Sequence, residues 1–136
     1  MKELRIEAEI ENLDKVLAFI DEELEKVGCD ITLQMQIDVA VEEMYVNIAS
    51  YAYAPGSGMA DISFELLQDP AAVQIVLRDS GVAFDPLAKP DPDVTLSAEE
   101  RQIGGLGIYM VKKTMDKVNY EYTDGQNVFT MYKKLS

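Results

Sequence analysis

The chain has 136 residues, 48% hydrophobic and 27% charged, enough to bury one core and too few for two. Twelve Lys and Arg against 25 Asp and Glu leave a formal net charge of -13, which argues against a broad contact with nucleic-acid phosphates or with an anionic membrane surface. One cysteine and no histidine exclude an intrachain disulfide, a cysteine-rich zinc site, histidine-assisted nucleophilic catalysis and a phosphohistidine on this chain, so a metal would be a hard ion held by oxygen, magnesium before calcium.

Apolar stretches break well before the roughly 20 residues of a bilayer span, and Met1-Lys2-Glu3-Leu4-Arg5 carries no signal-peptide run, so a soluble cytoplasmic protein is expected. Leu4 to Ile10 alternates apolar and charged residues, the pattern of a half-buried strand. Asn12 stands where a helix N-cap belongs, and Leu13, Val16, Leu17, Ile20, Leu24 and Val27 recur at three and four up to Gly28. The far side of that helix, with Asp21, Glu22, Glu25 and Lys26, reads as a solvated face.

A second helix is predicted from about Thr32 to Tyr53, ended by Pro55-Gly56-Ser57-Gly58, and is apolar enough to expect it mostly buried. Ile62 to Leu66 and Val73 to Asp79 alternate on either side of Asp69-Pro70, an antiparallel hairpin. Between Ser80 and Ile103 periodicity vanishes and Pro86, Pro90 and Pro92 appear, as in a lid or binding loop. Gly104-Gly105-Leu106-Gly107 opens a third helix through about Lys117, and strands from Val118 to Tyr122 and Asn127 to Lys133 flank Asp124-Gly125. This order predicts a single α+β domain over residues 1–136, a two-layer sandwich with a mostly antiparallel sheet and helices on one face.

Three groups bear on chemistry. Glu43 and Asn47, four apart, share one helix face; alone they match an ordinary polar stripe, but a carboxylate amid so apolar a helix needs a cation or a proton to accept. Asp79 continues the parity of Val73, Ile75 and Leu77 and so points inward at the strand's end; Asp79-Ser80-Gly81 fits either an Asx-type turn or an acceptor for a ligand amine, with Gly81 admitting a flat ring. The glycine cluster at the third helix start suits an anion, yet it lacks the Lys-Ser or Lys-Thr of a Walker A loop and the third glycine of a dinucleotide fingerprint.

Taken together, in this order, these groups resemble the GHKL ATP-binding (Bergerat) fold of gyrase, Hsp90, MutL and sensor histidine kinases, and more narrowly the bacterial anti-sigma-factor serine/threonine kinases. The likeness runs from about Glu9 to Leu135, and the stretch Ala40 to Tyr53 resembles the family's N-box. It implies Glu43 as general base and Asn47 as Mg²⁺ ligand; Asp79 and Gly81 match the aspartate and first glycine of the next box, which implies that Asp79 receives the adenine amino group, directly or through a bridging water. Gly104, Gly105, Leu106 and Gly107 match the phosphate-binding box, and Thr130 matches the threonine that completes the adenine shell. Ala83 replaces the second glycine after the strand, and Tyr51 stands where many such kinases have histidine. Lys89 and Arg101 are the lid cations placed to reach a γ-phosphate.

The resemblance implies ATP and Mg²⁺ as ligands, a homodimer, a sigma factor as sequestered partner and an anti-anti-sigma antagonist as phosphorylation substrate. A non-catalytic ATP-dependent binding module, and an accessory domain with no ligand, are the competing readings. The methionines, including Met44, Met59, Met110, Met115 and Met131, are expected as core filler, and Cys29 as inert.

Overall fold

The computed structural model describes residues 1–88 and 105–135. Strands β1 (Lys2–Glu7), β2 (Met59–Leu67), β3 (Ala72–Asp79), β4 (Lys117–Thr123) and β5 (Gln126–Lys134) form one sheet in the order β1-β2-β3-β5-β4, every neighbouring pair antiparallel. Helices α1 (Leu13–Lys26), α2 (Ile31–Asn47) and α3 (Gly105–Thr114) cover one side. Alternation dictates which: Ile62 and Phe64, Ile75 and Leu77, and Phe129 and Met131 share one parity and pack with Val16, Ile20, Ile37, Val41 and Val111 in a single core. The predicted α+β sandwich is the observed architecture. Among the described residues no helix is long and apolar enough to cross a membrane.

The ends of the elements depart from the sequence pattern for local reasons. β1 stops at Glu7, not Ile10, because the fully buried Tyr45 of α2 shares its one hydroxyl proton between the carbonyls of Glu7 and Glu9 and accepts from the amide of Glu9 at 3.1 Å. Asn12 precedes α1 but does not cap it; its amide donates instead to Glu7 O at 2.9 Å. The working cap is on α2, where the Asp30 carboxylate accepts from Thr32 N at 3.1 Å. Asp124 and Gly125 both take positive φ, 53° and 76°, the type I′ geometry that fits a two-residue hairpin between β4 and β5.

α2 is less buried than its composition suggests. Ile37, Ala40, Val41 and Met44 face the core, whereas Ile31, Met35 and Val39, at i, i+4 and i+8, form an outer stripe 65%, 62% and 47% exposed. Met44, Met115 and Met131 are buried as expected, but Met110 lies on the surface. Half-buried Cys29 has its thiol pushed up by burial, then by Asp30 and Asp38, which disfavours the thiolate.

Candidate functional site

β3 delivers Asp79 to the core-facing end of its row, 5% exposed, and β5 places Asn127 directly opposite in register, 6% exposed. Two buried polar groups at facing positions must satisfy each other, and they do: Asn127 Nδ2 donates to Asp79 Oδ1 at 2.9 Å. Gly81 N donates to the same oxygen at 2.9 Å, so the Asx-type turn is formed. Among the described residues no hydrogen bond arrives at Oδ2, so the turn leaves the carboxylate an acceptor to spare. Asp79 is thus both a turn residue and a candidate ligand acceptor.

The end of α2 fixes this turn from the other side. Where one continuous helix to Tyr53 is predicted, the α-helix gives way after Asn47 to a π-helical turn over Ile48–Ala52. A widened turn shifts the backbone by part of a residue, as at many functional sites. Here it presents Ala52 O to Val82 N at 2.9 Å, and the Tyr53 hydroxyl accepts from Ser80 N at 2.7 Å while donating to Met59 O. Gly81 sits against this carbonyl: a Cβ there would lie 2.1 Å from Ala52 O. The glycine is required by backbone packing inside the protein, a reason separate from the room for a flat ring that its position suggests.

An open cleft lies between these elements. α2 and its π turn contribute Met44, Asn47, Ile48, Tyr51 and Ala52; β3 contributes Leu77 and Asp79; the following loop gives Val82, Phe84 and Pro86; β4 and β5 give Tyr120, Asn127 and Phe129. The wall is apolar with a few convergent polar groups, the composition of a small-molecule site. Burial raises the pKa of the Tyr120 hydroxyl, aided by the negative charges of Asp85 and Asp79, so it remains a donor and points to Asn127 Oδ1.

Among the residues singled out in the sequence, Asn47, Asp79 and Gly81 come together at or beside this cleft. Glu43 is half-buried one helical turn before Asn47 and does not line the cleft. Gly105, Leu106 and Gly107 form the first turn of α3, which packs against α2, so these residues of the glycine cluster do open a helix. Gly104, Lys89, Arg101 and most of the lid lie outside the described residues. Ala83 is exposed and outside the cleft wall, so its methyl does not form the floor.

Thr130 is a correction. It is paired with Val76 and Asn119 on the opposite side of the sheet from Asp79, because three residues along a strand from Asn127 reverse the parity. Asn127 is the polar residue of β5 in the cleft wall, and the alternation Asn127, Phe129, Met131 is its signal in the sequence. Tyr53 and Tyr120 have no such signal, since their roles depend on contacts across the sheet.

A family model described as the histidine kinase-like ATPase domain matches residues 6–133. The chain belongs to the histidine kinase-like ATPase family. It is 30% identical over 99 residues to the serine/threonine-protein kinase BtrW of Bordetella bronchiseptica, covering 73% of this chain and 69% of that protein. To the serine-protein kinase RsbW of Bacillus cereus it is 31% identical over 94 residues, 66% of this chain and 58% of that one. This chain therefore aligns with little more than half of RsbW. A solved structure of RsbU and RsbW domains from Mycobacterium tuberculosis superposes with a TM-score of 0.66 at 20% identity, covering 99% of this chain and 33% of that one, and shares the fold.

Proposed function

We propose that this chain binds MgATP in the cleft and transfers the γ-phosphoryl group to a serine or threonine of a small antagonist protein, and that it sequesters a sigma factor as a homodimer in the cytoplasm. The observation that carries the nucleotide site is the buried Asp79, at the edge of an apolar cleft, with one carboxylate oxygen left for an amino group. Serine kinases among the relatives support the reaction class, and the acidic surface of a chain of net charge -13 is no obstacle if a metal accompanies the phosphates.

The donor set suits such a metal. Among the described residues no group of three Asp, Glu, Cys or His is placed to hold an ion by itself. Mg²⁺ commonly takes one or two protein oxygens and completes its shell with phosphates and water. Asn47, in the cleft wall, would hold the ion through its side-chain oxygen, with Glu43 one turn away. Bound with the nucleotide, the ion neutralises charge on the phosphates during transfer.

The remaining tasks fall to the chain. Asp79 Oδ2 accepts from the base, Met44, Ile48, Leu77 and Phe129 exclude water around it, and the amides at the start of α3 receive phosphate oxygens. Glu43 orients the incoming hydroxyl and takes its proton, so that oxygen attacks the γ-phosphorus in line as the β–γ bridge breaks. Gly104, Lys89 and Arg101 supply the rest of the phosphate environment in this reading.

Incubation with labelled ATP and the antagonist encoded beside it tests the reading. Label must reach a serine or threonine of the partner, and Glu43→Gln must abolish transfer while nucleotide binding stays nearly intact. Binding without transfer in the native chain would leave the non-catalytic module.

A further inference from the structure

Among the described residues, the Asn127 amide and the backbone amides that flank Asp79 have their donors already used. Asn127 has two N–H donors and two acceptor positions. Its Nδ2 donates to Asp79 Oδ1 at 2.9 Å and Val82 O at 2.8 Å, and its Oδ1 accepts from Phe84 N at 3.1 Å and from the Tyr120 hydroxyl. All four capacities are filled. The backbone amides of Ser80, Gly81 and Val82 are likewise committed to Tyr53, Asp79 and Ala52.

We propose that Asn127 is a positioning and specificity-determining residue, which locks Asp79 as an acceptor in a donor-depleted end of the cleft and so selects a 6-amino purine over a 6-oxo purine. This rests on the proposed nucleotide site and deepens it. A 6-amino group brings hydrogens to Asp79 Oδ2. A 6-oxo group brings a second acceptor to face the carboxylate, and the Asn127 amide and the backbone amides of Ser80, Gly81, Val82 and Phe84 are held by internal bonds. A site of this kind rejects the wrong group strongly because the mismatch leaves buried polar atoms unpaired. Asn127 itself does not touch the base in this account; it acts through Asp79 and through the loop carbonyl and amide at Val82 and Phe84.

The test is the ratio of MgATP to MgITP dissociation constants, measured by calorimetry on the whole chain and on Asn127→Leu and Asn127→Asp. The native chain should favour ATP by about 100-fold or more. In Asn127→Leu the Phe84 amide and the Asp79 carboxylate lose their tie, and the ratio should fall at least about tenfold. In Asn127→Asp two facing carboxyls share a proton, which introduces a donor, and the ratio should fall by a similar factor through improved ITP binding. A merely structural loss weakens both nucleotides alike and leaves the ratio in place. If Asn127→Leu does not fold, as judged by circular dichroism, the near-isosteric Asp variant decides. An unchanged ratio in the folded variants, or a native chain that binds ATP and ITP equally, overturns the assignment while the nucleotide site stands. A native chain that binds neither overturns both.

Discussion

The α-carbon of Gly81 lies so near Ala52 that any Cβ would be 2.1 Å from the Ala52 carbonyl oxygen, which already accepts from Val82 N at 2.9 Å. The turn after β3 and the π turn after α2 are therefore fitted backbone to backbone. Gly81→Ala must displace one of them, at a cost of about 1–3 kcal/mol by analogy with overpacked cores. A lowered melting temperature without ligand is expected. An unchanged melting temperature with lost ATP binding would mean that the glycine serves the ligand alone.

Tyr53 bonds the same turn through its hydroxyl, between Ser80 N and Met59 O. Tyr53→Phe leaves that amide and carbonyl without their partner and should destabilise by about 1–3 kcal/mol. It should also weaken MgATP binding, because Ser80 adjoins Asp79. Calorimetry beside thermal denaturation checks both effects; normal stability would contradict the clamp.

Asp38 of α2 faces Asp21 of α1, and each has an oxygen that is buried without a hydrogen-bond donor. Two ionised carboxylates have no donor between them, so the pair is satisfied only when it holds a proton. Desolvation first, then the hydrogen bond and charge of Asp21 and the charge of Glu42, push the Asp38 carboxyl from 3.8 up to about 8. A folded-state pKa above the unfolded one means that the native chain holds the extra proton between these values, so stability falls as pH rises from about 4 to about 8. The group is half exposed and screened, so the penalty at neutral pH is on the order of 1 kcal/mol. Asp38→Asn should raise the melting temperature at pH 7 to 8 and leave it nearly unchanged near pH 4. An equal shift at both ends would rule out titration as the cause.

Tyr45 joins α2 to the segment after β1 through Glu7 and Glu9. Tyr45→Phe keeps the buried ring and removes only the hydroxyl, so a loss of about 1–3 kcal/mol is expected with little effect on nucleotide affinity. Chemical denaturation measures the first and calorimetry the second. A large affinity loss would show that these bonds are coupled to the cleft.

Much of this architecture was legible because its periodicities are strong. The alternation in β2 and β3 fixed the parity of Asp79, and the spacing of Glu43 and Asn47 placed them on one helix face. Three things were not legible. The π turn after Asn47 has no period of its own and follows from packing against Gly81 and Val82. The early end of β1 is set by Tyr45, 38 residues from Glu7. Motif likeness points to Thr130, whereas the register sets Asn127 opposite Asp79 and Thr130 opposite Val76.

The central claim is that α2, the β3 turn and the α3 start converge on one nucleotide. Titration of MgATP into the native chain and Asp79→Asn measures it directly. One saturable site per chain is expected, weakened about 10- to 100-fold by the substitution through loss of a charge-assisted hydrogen bond. No heat at millimolar nucleotide, or undiminished binding by Asp79→Asn, would contradict it.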